Sequence, residues 1–165
     1  MNAQMLSGFL QGHEILGYMA KLAISYLLAF PIALERERDA RSAGLRTFPL
    51  VAVASCGYML TGISALGGAD AQSRIFYGII TGIGFIGGGA ILKHGGSVRG
   101  TATAAGIWVM GAVGCAVAWG EYEIAVALSL VSSLTFWIVG RVKRGLIGRD
   151  VEIERVEGQG PPPPA

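Results

Sequence analysis

Charge is what this sequence has least of. Asp, Glu, Lys and Arg make up only 15% of its 165 residues, whereas a soluble domain typically carries about 25% to keep its surface wetted. The net charge of +2 is too small to build a phosphate-binding surface. Composition therefore argues against a soluble enzyme, a disordered tail and a nucleic-acid binder. Cysteine and histidine are scarce as well, with two of each. Cys56 and Cys115 are embedded in apolar stretches, so no disulfide framework is implied. His13 and His94 sit near the ends of apolar runs, with no spacing for a zinc site. No serine lies in a nucleophile elbow and no triad is found, so no catalytic residue, cofactor or metal site is assigned. What remains is 52% hydrophobic residues and a mean hydropathy of +0.54, the composition of a single integral membrane domain.

Apolar runs near 20 residues long cross about 30 Å of hydrocarbon. Five are found, at approximately 14–34, 47–66, 74–92, 102–119 and 122–140. No Lys or Arg precedes the first, so it is expected to be a retained helix rather than a cleaved signal. The expected fold is an all-α five-helix transmembrane bundle over 1–148, followed by a short polar, proline-rich tail over 149–165. Eleven Lys and Arg fall in the 35–46 loop, the 93–100 loop and the segment after 140. Only Arg74 falls on the other side, and Lys21 lies within the first run. The positive-inside rule then predicts the N-terminus outside and the C-terminus in the cytoplasm. In the tail, Asp150-Val151-Glu152-Ile153-Glu154 alternates like a strand, but is too short to fold alone.

Small residues pattern the third and fourth runs. Gly78 with Gly82, and Gly84 with Gly88, form two G-x-x-x-G pairs on different faces, with Gly87 and Gly89 beside them. Close backbone approach through small residues is what associates helices in lipid. Ala102, Gly106, Gly114 and Ala118 share one register of the fourth run. These two runs are expected to form the packed centre, with any spare small face available to a second copy. The G-x-G-x-x-G at 82–87 is not a dinucleotide fingerprint, because no acidic residue occurs between Asp70 and Glu121.

Polar groups collect at the ends of the runs. Glu35-Arg36-Glu37-Arg38-Asp39 follows Pro31, and helical spacing pairs Glu35 with Arg38 and Glu37 with Arg41. Gly44 turns the chain, Thr47 is expected to cap the next helix, and Arg46 is placed to pair with Glu35 or Glu37. Asp70, with Arg74, suits a helix N-terminus. Glu14, Asp70, Glu121 and Glu123 give the outer side four carboxylates, which attract divalent cations although their spacing builds no cage. Lys21 is expected to snorkel outward, with a counter-ion role inside the bundle as the alternative. Few carboxylates occur within the runs, unlike in proton and ion pathways.

Several of these stretches together resemble the signature of the MgtC/SapB family of bacterial membrane proteins. Glu35-Arg36-Glu37 and Ala43-Gly44-Leu45-Arg46-Thr47 match its E-R-E and A-G-L-R-T elements. Asp70 with Ser73-Arg74-Ile75 resembles D-x-S-R-I with one extra residue, and residues 82–93 resemble the G-I-G-F-L-G-A-G segment. Arg99 and Gly100, followed by Thr103-Ala104-Ala105 and Trp108, resemble its G-L-T-T-A-A-x-x-W element, with Thr101-Ala102-Thr103 in place of L-T-T. The resemblance implies a five-helix inner-membrane protein associated with survival under low magnesium and inside host cells. It also implies a regulatory activity, such as restraint of the rotary ATP synthase. Longer members carry a soluble ACT-like domain, and this chain is expected to be a short form without it.

Two function classes follow. One is a non-enzymatic regulator acting through helix contacts with itself, as a dimer, or with a larger membrane complex. The other is a small cation transporter or channel with Asp70 outside and Glu35 or Glu37 inside. The candidate functional cluster is Glu35, Arg36, Glu37, Arg46, Thr47, Asp70, Arg74, Arg99 and Thr103. The candidate packing positions are Gly78, Gly82, Gly84, Gly87, Gly88, Gly106 and Gly114.

Overall fold

The computed structural model describes residues 12–37, 43–94 and 97–157. In chain order they form α1 (Gly12–Glu37), α2 (Thr47–Ala65), α3 (Ala69–Gly89), β1 (Leu92–His94), β2 (Ser97–Arg99), α4 (Thr101–Trp119) and α5 (Tyr122–Glu157). Four of these helices contain a segment long and apolar enough to cross a membrane: Glu14–Glu37, Thr47–Ala65, Thr101–Trp119 and Tyr122–Val142. Helices dominate because lipid offers no partner to a backbone N–H or C=O, and a helix satisfies these groups within itself. The remaining expected run, the third, is α3, which has the length. Its glycines and its polar first turns (Asp70, Gln72, Ser73 and Arg74) dilute its apolar character.

α4 is the centre of the bundle. It buries every residue from Val113 to Ala118, and in its first half Thr103, Gly106, Ile107 and Met110, while Ala105, Trp108 and Ala112 leave one stripe exposed. Against it α2 lays Phe48, Ala52, Cys56 and Met59, and α1 contributes Ala29, Ile32 and Ala33. The closest approach is at Gly114, where an added Cβ would meet the backbone of Ala52 and Cys56 and the side chain of Ser55. Gly106 receives the rings of Phe48 and Phe136, and Gly111 receives Ile83 of α3. In lipid this contact between backbones substitutes for the hydrophobic force that water would supply.

The expectation that the third and fourth runs form the packed centre is corrected here. Only Ile83 and Gly87 of α3 are buried. Gly87 lies against the Ala104 carbonyl, as expected for a packing position, but Gly78, Gly82, Gly84 and Gly88 have nothing within 4 Å of an added Cβ. α3 leans on its neighbours by large side chains instead. Ile75 fills the space above Gly62, and the Phe76 ring packs on Trp119 with centroids 4.9 Å apart. The helix therefore uses one edge and leaves its glycine faces open.

Two further differences concern boundaries. The end of the third expected run and the 93–100 loop form a two-stranded hairpin in which Leu92 pairs with Arg99, Lys93 with Val98 and His94 with Ser97. Gly100 follows it at φ +87° and an added Cβ would strike the Ala90 carbonyl, so this joint admits glycine alone. At the other end of the chain α5 continues to Glu157, so Asp150–Glu154 is helical rather than strand-like. A lone strand has no ladder to join, whereas a helix already running propagates at the cost of one residue at a time. The Arg38 and Arg41 pairings and the proline run lie outside the described residues.

Candidate functional site

The polar groups of the bundle are organised around the two ends of α4. At its C-terminus, Glu121 N donates to the Ala116 carbonyl at 2.9 Å and Gly120 N to the Val117 carbonyl at 3.1 Å. Gly120 has φ +88°, so the helix ends in a left-handed glycine cap that satisfies those two carbonyls. The Ala118 carbonyl is left over, and Lys21 Nζ of α1 donates to it at 2.7 Å. This corrects both sequence readings of Lys21. Its ammonium goes neither to solvent nor to a carboxylate, but to a free carbonyl at the negative end of a helix dipole. One turn further along α1, buried Ser25 returns its hydroxyl to the Lys21 carbonyl at 3.0 Å.

At the α4 N-terminus the partner is Arg36. Its Nη2 donates to Thr103 Oγ1 at 3.0 Å, and its guanidinium lies 5.1 Å from the centre of the Phe136 ring. One side chain of α1 thus touches α4 through a hydrogen bond and α5 through a cation–π contact. Lys21 and Arg36 are 15 residues apart on α1, and Thr103 and Ala118 are 15 apart on α4. The antiparallel pair is therefore clamped at both ends of a segment about 22 Å long, at 1.5 Å per residue. Midway, Ser129 of α5 donates to the Leu28 carbonyl of α1 at 2.6 Å.

Beside Arg36, the connection between α1 and α2 is closed by Glu37. Its carboxylate accepts the Leu45 N–H at 2.9 Å and occupies the space where a Cβ on Gly44 would stand. The expected ion pair between Arg46 and Glu37 is replaced by this backbone contact. Thr47 does not cap α2. The cap position is Arg46, and the Gly44 carbonyl accepts from Thr47 N and Phe48 N instead. The turn enters the helix already in right-handed geometry (Arg46 φ −91°, ψ −42°), so the backbone itself supplies the acceptor. Arg46 is exposed and, with Thr47, lines a groove between α2 and α3.

The remaining candidates lie elsewhere. Asp70 and Arg74 are exposed on the first turns of α3, at the far end of α2 from Arg46. Gly68, with φ +94°, occupies the cap position there and Asp70 makes no side-chain cap, so its effect on the helix is through the dipole alone. Arg99 is exposed on β2. The structure brings Arg36 and Thr103 together and sets Glu35, half-buried, beside them in the chain. It does not unite them with Asp70 or Arg74. Sequence reasoning missed Phe136, Ser129 and the acceptor of Lys21, all of which are contacts across 97 to 101 residues with no local signal. Among the described residues no group of three or more His, Cys, Asp or Glu side chains is placed to hold a metal ion.

Residues 22–145 match the sequence model of the MgtC family. Protein SrpB of Synechococcus elongatus is 34% identical over 149 residues, covering 82% of each chain. The Escherichia coli protein named "Putative magnesium transporter YhiD" is 30% identical over 146 residues, covering 83% of this chain and 67% of its own. Protein MgtC of Salmonella typhimurium is 35% identical over 114 residues, which are 69% of this chain. That match spans about half of the Salmonella protein, 48%. No solved structure matches.

Proposed function

The chain belongs to the MgtC family, and from that premise we propose that it is a non-enzymatic regulator in the bacterial inner membrane, linked to magnesium or other ion homeostasis. It acts through helix contacts, with a second copy or with a larger membrane complex such as the ATP synthase. All five helices cross the bilayer, α3 included, with the N-terminus outside and the C-terminus in the cytoplasm. The charge distribution supports that orientation. Exposed Arg46, Lys93, Arg99 and Arg141 collect at the Arg36 end of the bundle, and Glu14, Asp70, Glu121 and Glu123 at the Lys21 end. Maleimide labelling of single cysteines at Asp70 and Arg99 tests it. Labelling from opposite faces is expected, and labelling from one face would exclude the α3 crossing.

The observation that carries the regulatory reading is the interior between the two clamps. Ala29, Ile32, Met59, Met110 and Val113 are fully buried there. The cations at either end are engaged by a carbonyl and a hydroxyl. Ion pathways usually display buried carboxylates or histidines, and this stretch has none among the described residues. The rival reading, a cation transporter, has in its favour the name of the relative YhiD and the exposed carboxylate of Asp70.

The deciding experiment is magnesium and monovalent cation flux into sealed proteoliposomes, with Asp70→Ala and Glu35→Ala variants alongside. Flux equal to that of empty liposomes, with the protein folded, is expected. Saturable flux that disappears in either variant would overturn the regulatory reading.

A further inference from the structure

A groove of about 970 Å³ runs between α2 and α3, at the upper end of the range of about 300–1,000 Å³ occupied by small-molecule ligand sites. Its floor is Val51, Ser55 and Ile83, all buried. Its walls are Leu50, Ala54 and Tyr58 from α2, and Gly78, Gly82 and Phe85 from α3. The glycines matter because they leave the α3 wall low. Nothing lies within 4 Å of an added Cβ at either position, while Phe85 stands out at 86% exposure. The groove follows α2 from Arg46 to Thr61, about 22 Å at 1.5 Å per residue. That exceeds one leaflet, which is about half of the roughly 30 Å hydrocarbon core.

Among the described residues, a single charged residue lines this apolar surface. Arg46 stands at one end, exposed, with no hydrogen bond or ion pair among the described residues. Exposed Lys93 and Arg99 of the hairpin belong to the same end of the bundle. A slot that is apolar along its length and cationic at one end is complementary to an amphiphile with an anionic head and a hydrocarbon tail. Basic pockets between transmembrane helices bind anionic head groups for this reason. A second copy fits the charge less well. Two grooves meeting about an axis normal to the membrane would bring Arg46 to the same depth as its counterpart, like charge toward like.

We propose that this groove is a binding site for one anionic phospholipid, its acyl chain along Leu50, Ala54 and Gly82 and its phosphate on Arg46. The site rests on the crossing of α3 proposed above, which the cysteine labelling reads separately from lipid retention. The test is native mass spectrometry of the purified protein in mild detergent with equal amounts of dioleoylphosphatidylglycerol and dioleoylphosphatidylcholine. One phosphatidylglycerol per chain is expected, retained about fivefold more tightly than phosphatidylcholine. That ratio corresponds to about 1 kcal/mol for one basic residue at a membrane surface. Arg46→Gln removes the preference and Arg46→Lys retains it. Gly82→Leu, which fills the groove, lowers retention of both lipids. Arg141→Ala, a cation of the same end that stacks on Trp137 away from the groove, leaves the preference unchanged. Equal retention of the two lipids, or a preference that survives Arg46→Gln, overturns the proposal. A lipid-free pair of chains that Gly82→Leu separates also overturns it, in favour of a second copy.

Discussion

Replacing Gly114 by alanine probes the fold at its tightest point. The new methyl group would meet the Ala52 carbonyl, the Cys56 backbone nitrogen at 2.9 Å and Ser55 Cβ at 2.9 Å. Two of the three obstacles are backbone atoms of α2, which cannot rotate away, so α4 and α2 must separate. Overpacking of this kind costs about 1–3 kcal/mol, and a backbone obstacle puts it at the upper end. Alanine recovers about 1 kcal/mol of helix propensity over glycine. The expected net loss is thus about 2 kcal/mol, or about 30-fold in the unfolding equilibrium. Gly82→Ala is the matched control. It gives the same gain in propensity with open space around the new Cβ, so it is expected to be neutral or stabilising by up to about 1 kcal/mol. Reversible unfolding by sodium dodecyl sulfate in mixed micelles, followed by circular dichroism, measures both. Equal destabilisation by the two substitutions would refute the reasoning, because it would mean that the α3 glycine face is as crowded as that of α4.

Three further outcomes are expected. Lys21→Met keeps the apolar stem but leaves the Ala118 carbonyl without its donor, at a cost of about 1.5–3 kcal/mol in the same unfolding assay; Lys21→Arg restores part of it. Arg36→Met and Thr103→Val, made singly and together, should show a coupling of about 1 kcal/mol in a double-mutant cycle, since they share one hydrogen bond. Additive effects would dissolve that clamp. Gly100→Ala forces a side chain into a left-handed conformation against the Ala90 carbonyl. It should destabilise by at least about 1–3 kcal/mol and accelerate proteolysis of the hairpin between α3 and α4.

Much of the helical architecture was legible because the rule behind it is local. Runs of apolar residues near 20 long must close their own hydrogen bonds in lipid, so the first, second, fourth and fifth runs coincide with α1, α2, α4 and α5. The glycine pattern was legible as a capacity and not as a contact. Gly78 and Gly82 have the same spacing as a pair that packs, yet they face open space, while Gly111, outside the register singled out on α4, receives Ile83. Which small face acquires a neighbour depends on where the other helices lie. The E-R-E stretch was legible as a polar cluster at the end of the first run, while its partners on other helices were not. Arg36 reaches Thr103 and Phe136, and Glu37 reaches a backbone N–H in the following turn.

By itself, then, the sequence determined that this is a membrane protein of apolar helices, with its cations gathered toward one end, and it carried the motifs of its family. Length, hydropathy and the segregation of Lys and Arg are properties that each segment holds without reference to the others. Only the tertiary structure decided that α4 is central, that α3 keeps a free glycine face beside Arg46, and that Lys21 and Arg36 clamp α1 along α4. Those outcomes depend on acceptors such as the Ala118 carbonyl, 97 residues from Lys21 in the chain. A carbonyl is identical at every residue until the end of a helix leaves one of them without a donor.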